Sequence, residues 1–247
     1  MIKTDDKIVH VNQQYMKSVC IIPARGGSKR IPKKNIKLFR GKPLINWVIN
    51  IAKESKCFDK IIVSTNDIEI ANLSKSVGGE VPFLRPENLS DDFSSTLDVM
   101  KFMVRELLDG DSNLKYVCCM YATAPLILGS DLEKSFKIIQ KMNSDQILFG
   151  ATSFDYPIQR AVILDKNNNS SFLDKKYLFT RSQDLIETFH DAGQFYWGTP
   201  NGWLETENIL DEGKAFKIPR WRVQDIDVQE DWDRAENIHK ELQEREL

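Results

Sequence analysis

The chain has 247 residues, with 34 basic and 36 acidic side chains, a formal net charge of −2, 41% hydrophobic and 28% charged residues. This composition supports a real hydrophobic core without disulfide or metal staples and excludes a disordered chain. The balanced charge gives no electrostatic case for nucleic acid or a membrane surface as main partner, and no apolar run approaches the ~20 residues that cross a bilayer.

Residues 1–17 are polar, lack the apolar centre of a signal peptide and read as an extension before the first strand. Met16 is a second candidate start, and a cytoplasmic protein is expected. Ser18–Ile22 is a short apolar strand, and Pro23–Asn35 a long polar loop. Pro43–Ser55 repeats Leu44, Trp47, Val48 and Ile51 at helical spacing. Lys60–Ser64 is a second strand, followed by a helix over Asp67–Ser76 with Asp67 at its N-cap. Glu80–Leu84 is a third strand. Ser94–Leu108 is a helix with Leu97, Met100, Val104 and Leu107 on one face. Lys115–Met120 is a fourth strand, Gly129–Met142 a helix and Gln146–Thr152 a fifth strand. This alternation predicts an α/β fold of three layers, a mostly parallel sheet between helices.

The rhythm breaks after Phe154. Residues 155–190 hold the polar run Asp165–Ser171 and several aromatics, and read as a hairpin-rich insertion serving as lid or dimer interface. Regular structure returns at Gly193–Trp197 and Ala215–Ile218, and Gln229–Leu242 closes the chain as an amphipathic helix. Residues 18–247 are thus one domain carrying an insertion. Cys20, Cys57, Cys118 and Cys119 lack Cys-x-x-Cys spacing and read as reduced thiols; with His10, His190 and His239 scattered, no zinc site is expected.

The richest segment for chemistry is Ile22–Asn35. It follows the first strand, at the carboxyl end where open α/β sheets bind ligands. Gly26 and Gly27 let backbone N–H groups approach phosphate oxygens, and Arg25, Lys29, Arg30, Lys33 and Lys34 supply charge to neutralise a triphosphate. The Gly-x4-Gly-Lys-Ser/Thr pattern of a Walker loop is absent. Ser94 or Ser95 suits a helix N-cap. Asp225 and Asp227, two apart in an extended segment, share a side and suit Mg²⁺; Asp227 with Glu230 fits a capping box equally well.

Ala24-Arg25-Gly26-Gly27-Ser28-Lys29-Arg30-Ile31-Pro32-Lys33-Lys34-Asn35 resembles the N-terminal signature of the CMP-sugar synthetases. The resemblance continues through Gly41–Leu44, Val63–Asp67, Phe83–Pro86 and Asp225–Asp227, and covers residues 18–240. Segments Phe154–Ala161, Arg181–Leu185 and His190–Trp197 resemble the branch of that family acting on pseudaminic acid. Tyr121–Pro125 and His190–Tyr196 differ from the pattern of the sialic acid branch, and Phe189 stands where a Tyr is expected.

The resemblance implies a Rossmann-like nucleotidyltransferase fold. It implies transfer of CMP from CTP to the anomeric hydroxyl of a nonulosonic acid, with pseudaminic acid expected. Sialic, legionaminic or eight-carbon ulosonic acids are the alternatives, and a non-catalytic nucleotide binder or a sugar-phosphate nucleotidyltransferase are the competing classes. Arg25, Lys34, Asp225 and Asp227 are the implied catalytic set. Ala24, Gly26, Ser28, Lys29 and Asn35 would hold the nucleotide, with Arg85, Ser94 and Thr96 reading cytosine. Asp225 and Asp227 would carry Mg²⁺. Tyr121, Arg181, Gln183, His190, Gln194 and Tyr196 are the candidates facing the sugar, with core packing the other reading of Tyr196. A homodimer through residues 155–190 is the implied assembly.

Overall fold

The computed structural model describes residues 18–110, 113–211 and 213–245; the expected extension, 1–17, lies outside the described residues. In chain order the strands and helices are β1 (Ser18–Pro23), β2 (Leu38–Phe39), β3 (Lys42–Pro43), α1 (Leu44–Glu54), β4 (Lys60–Ser64), α2 (Ile68–Ser76), α3 (Thr96–Gly110) and β5 (Tyr116–Met120). There follow α4 (Gly129–Ile139), β6 (Leu148–Ser153), β7 (Val162–Leu164), β8 (Ser170–Phe172), β9 (Phe189–Gly198), α5 (Pro200–Glu205), β10 (Lys214–Lys217) and α6 (Gln229–Arg245). None of the described helices is long and apolar enough to cross a membrane.

Six strands form the central sheet in the order β10-β6-β9-β5-β1-β4. All neighbours run parallel except β9, which is antiparallel to both β5 and β6. Val19–Ile22 of β1 are fully buried, as a strand covered on both faces must be. Their alternation sorts them: Cys20 and Ile22 pack with Ile45, Val48 and Ile49 of α1 and Leu132 of α4, while Val19 and Ile21 pack with Met100, Met103 and Val104 of α3 and Trp203 of α5. These are the two core layers of a three-layer sandwich. α6 docks separately, with Trp232 and Ala235 on Phe39 and Leu44.

The strand expected at Glu80–Leu84 reduces to a single parallel bridge between Glu80 and Ile62. Glu80 N donates to Ile61 O at 2.7 Å and its carbonyl accepts from Val63 N at 2.8 Å. Pro82, two residues on, has no N–H with which to continue the ladder. The chain instead rejoins at Arg85, whose N–H donates to Thr65 O at 2.7 Å.

Within the expected insertion, β7 and β8 pair as an antiparallel hairpin beside short 3-10 turns at Ile158–Arg160, Lys175–Tyr177 and Ser182–Asp184. Its neck is tight: Thr152 pairs with His190 and Ser153 with Phe189. At the other end of β9, α5 starts where the Thr199 hydroxyl caps Gly202 N at 2.9 Å. A Cβ at Gly202 would lie 2.3 Å from the Asp145 carbonyl oxygen. Gly202→Ala is therefore expected to destabilise the fold by about 1–3 kcal/mol, the usual effect of overpacking, read from the urea midpoint; an unchanged midpoint would contradict this packing.

Candidate active site

Local hydrogen bonds shape the loop after β1. Ala24 N extends the ladder to Ser64 O at 2.9 Å, and Ser28 Oγ donates to Ile31 O at 2.6 Å. Asn35 is buried and its Nδ2 donates to Arg25 O at 3.0 Å, closing the loop on itself. Gly26 is needed for close approach: its N–H donates to Asn66 Oδ1 at 3.1 Å, and a Cβ there would sit 2.6 Å from Asp67 Oδ2. That aspartate caps α2 as expected, accepting from Glu69 N at 2.7 Å and Ile70 N at 3.3 Å.

Two adjoining cavities flank this loop. One, of about 430 Å³, is lined by Arg25, Ser28, Lys29, Arg30, Lys34 and Asn35. The other, of about 260 Å³, shares Arg25 and Asn35 and runs to Arg85, Ser94, Thr96 and Tyr121. The first has the charge and hydroxyl content of a phosphate cradle. The second has the fixed donors and acceptors that a base requires.

The four cradle cations share two carboxylates. Asp92 pairs with Arg25 at 2.7 Å and with Lys29, which hold its carboxyl below the usual range. Asp227 pairs with Arg30 at 2.7 Å and lies 3.6 Å from Lys34 Nζ, which also donates to Ile226 O at 2.5 Å. Asp92 lines both cavities and was not among the expected site residues. Its sequence signal was only a second acid beside Asp91, because its partners lie more than sixty residues away.

In the second cavity, Arg85 is 5% exposed and its Nε donates to Ser90 Oγ at 3.1 Å. Burial, and then the Arg25 charge, lower its pKa to about 10, so it stays a cation at neutral pH. Ser95 is the cap of α3: its Oγ accepts from Asp98 N at 3.1 Å while its own N–H donates to the Asp98 carboxylate. Ser94 Oγ donates to Asp91 Oδ1 at 2.7 Å. Thr96 Oγ1 lies 3.2 Å from the Tyr121 hydroxyl, on the cavity wall.

Asp225 and Asp227 enter α6 together, but neither carboxylate caps it. Asp231 takes that role, accepting from Asp227 N and Val228 N at 3.0 Å each. The capping box expected from Asp227 and Glu230 is thus not the arrangement found, and the Asp227 side chain turns to the cations. Desolvation and then the Asp227 charge push the Asp225 carboxyl up, against the opposing pull of Lys34. Among the described residues no cluster of three or more metal-ligating side chains occurs. An ion here would take two carboxylates, the set that suits Mg²⁺, which completes its octahedron with phosphate and water oxygens. The like-charge repulsion felt by Asp225 is what a divalent ion relieves, so the pair fits.

The sugar candidates divide. His190 is exposed, donates from Nδ1 to the Asp191 carbonyl at 2.8 Å and packs on Phe154 at 4.7 Å. It lines a third cavity of about 760 Å³, with Arg160, Ser182, Arg220, Gln224 and Arg234. Gln224, the residue before Asp225, is the last of its wall before the aspartate pair in sequence. Gln194 and Tyr196 are placed differently from a shared sugar-facing surface: they are 3% and 1% exposed. Gln194 Nε2 donates to Arg222 O at 3.0 Å, and the Tyr196 hydroxyl donates to Asp191 Oδ2 at 2.6 Å. The alternative reading of Tyr196, core packing, is its position here, because it fills the layer beside Cys119 and Trp203. Arg181 and Gln183 sit exposed on the Ser182–Asp184 turn of the insertion, beside Ser182 of the third cavity.

Comparison with known proteins gives the family. The chain is 45% identical over 227 residues to the pseudaminic acid cytidylyltransferase of Campylobacter jejuni subsp. jejuni serotype O:2, covering 91% of this chain and 97% of that one. It is 32% identical to N-acylneuraminate cytidylyltransferase A of Danio rerio, over 87% of this chain and 49% of that one. Its fold matches a CMP:2-keto-3-deoxy-manno-octonic acid synthetase complexed with CTP, at TM-score 0.66 and 17% identity, over 94% of this chain and 100% of that one. A family model described as cytidylyltransferase spans residues 19–244. That span takes in the basic loop, the buried arginine and the aspartate pair, and with it the chain belongs to the cytidylyltransferase family of nucleotidyltransferases.

Proposed function

We propose that this enzyme transfers CMP from CTP to the anomeric hydroxyl of pseudaminic acid and releases pyrophosphate. The observation that carries the choice of acid is the 45% identity, over nearly the whole of both chains, to the Campylobacter jejuni relative. The adjoining cavities support the nucleotide half: base against Arg85, Ser94 and Thr96, phosphates along Arg25, Ser28, Lys29 and Lys34. Ala24 N and Gly26 lie where the loop leaves β1, and Asn35 holds the loop closed.

The third cavity, between His190 and Gln224, suits the sugar acid, with Arg160, Arg220 and Arg234 supplying cations for its carboxylate. The hydroxyl held there attacks the α-phosphorus in line. Arg25, Lys29 and Lys34 neutralise charge that builds on the phosphates and on the departing pyrophosphate. Asp225 and Asp227 would hold Mg²⁺, which supplies Lewis-acid polarisation of the phosphate oxygens when bound. No side chain stands out as a general base, so alignment and charge neutralisation carry the rate. Exposed Val162, Ile163, Leu164 and Phe179 on the insertion support a homodimer through that segment, which size analysis of the active enzyme tests.

Pyrophosphate release with CTP and Mg²⁺ tests the reading, with pseudaminic, N-acetylneuraminic and legionaminic acids compared side by side. Clear preference for pseudaminic acid is the expected result. Preference for either other acid overturns the sugar assignment and keeps the transfer. No release with any acid overturns both.

A further inference from the structure

The cations of the first cavity already hold carboxylates. Arg30 and Lys34 sit with Asp227, one of the two carboxylates suited to metal. Arg25 and Lys29 sit with Asp92, which has no such second duty. Its side-chain partners among the described residues are these two cations, each on its own oxygen: Arg25 on Oδ1 at 2.7 Å, Lys29 on Oδ2. The turn around it is tied by its neighbour. Asp91 Oδ1 accepts from Phe93 N at 3.0 Å and from Ser94 N at 2.7 Å, while Ser95 and Asp98 cap α3. The turn therefore keeps its shape without the Asp92 carboxylate.

A carboxylate and a phosphate make the same demand on a guanidinium or an ammonium, since both are anions that only accept. A phosphate entering this cavity has to take the Arg25 and Lys29 donors from Asp92, and it meets the Asp92 charge as it does so. The hold to be broken is light. The Asp92 side chain is 41% exposed and that of Lys29 79%, so water screens the pairs. Phe93 is 93% exposed, so no apolar contact presses the turn onto the cradle. The other link is Arg25 to the Asp91 carbonyl at 2.7 Å. Asp92 is tethered beside its cations, which gives it a high effective concentration there. CTP is tethered too, through its base; pyrophosphate, once cut free, is not. The carboxylate thus competes better against the product than against the substrate.

We propose that Asp92 is an internal competitor for the phosphate cradle: it holds Arg25 and Lys29 before CTP binds, yields them to the triphosphate and reclaims them as pyrophosphate leaves. The proposal rests on the reading of this cavity as the triphosphate site. Asp92 is then a positioning residue that acts through two cations and loosens the hold on the product.

Calorimetry with inorganic pyrophosphate tests it on wild type, Asp92→Asn, Asp92→Glu and Lys34→Ala, with metal withheld so that the protein's own charges are read. Asp92→Asn keeps the shape and removes the charge. It is expected to tighten pyrophosphate binding by about threefold to thirtyfold, the combined weight of two exposed ion pairs, and added salt is expected to shrink the gain. In the reaction with CTP the product-inhibition constant of pyrophosphate falls in the same direction. Asp92→Glu restores the charge and is expected to bind as wild type does; an equal gain in Asp92→Glu assigns the effect to the shape of the turn and overturns the proposal. Lys34→Ala, whose cation is not held by Asp92, is expected to weaken pyrophosphate binding. Unchanged or weaker binding in Asp92→Asn, with weaker binding in Lys34→Ala, overturns the competitor and keeps the cradle. Binding unmoved in both overturns the cradle and the proposal with it.

Discussion

Lys34→Ala is expected to reduce kcat by roughly a hundredfold to a thousandfold, as removal of a preorganised charge-stabilising group does. The reason lies in where the ammonium sits. Its side chain is only 18% exposed, its Nζ is pinned by the Ile226 carbonyl at 2.5 Å, and Asp227 lies 3.6 Å away. It therefore faces the cavity proposed for the phosphates on one side and Asp227 on the other. Its loss removes positive charge from the cradle and leaves two adjacent carboxylates less balanced. Lys34 is the charge that pulls Asp225 down against desolvation and Asp227. Without it Asp225 binds a proton more readily, so the acid limb of the residual activity moves to higher pH. Steady-state rates across a pH series check both parts. Turnover within a few-fold of wild type, or an unmoved acid limb, contradicts this placement.

The largest effect on stability is expected at Asp131→Ala. Asp131 on α4 and Arg222 pair at 2.7 Å, with side chains 8% and 7% exposed. Removing one partner leaves a buried charge uncompensated, which costs about 3–5 kcal/mol. For a chain of this size that is a fall of roughly 10 °C in Tm. The segment leading to Asp225 then loses its anchor to α4 and keeps only the bond from Gln194 of β9 to the Arg222 carbonyl. Thermal and urea unfolding check the magnitude. The double variant Asp131→Leu/Arg222→Met is expected to regain most of the loss, since an apolar pair of similar volume carries no desolvation penalty. A single-variant loss below about 1 kcal/mol would place this pair with ordinary surface salt bridges.

Much of the layered fold was legible because local patterns report it. Of the residues read at helical spacing, Leu44 and Val48 are buried and Trp47 and Ile51 half-buried; Asp67 caps the helix it was expected to cap. Order within the sheet was not legible. That β9 lies between β5 and β6 and runs against both depends on pairings such as Cys119 with Tyr196, which no local pattern encodes. The Glu80–Leu84 strand failed because β-propensity does not register what Pro82 removes from a ladder. At the site, the basic loop announced itself by composition. Asp92 did not, because its partners are brought to it only by the fold.

The neck of the insertion bears on how such a protein is modified. The chain leaves the sheet at Ser153 and returns at Phe189, its direct partner, with Phe154 N bonded to Thr188 O at 3.2 Å just outside. Everything between is a hairpin loop by topology, however elaborate its contents. Lengthening or exchanging such a loop changes closure entropy only logarithmically with length. Residues 154–188 are thus a cassette with a single graft point, and their replacement leaves the register of all six strands untouched.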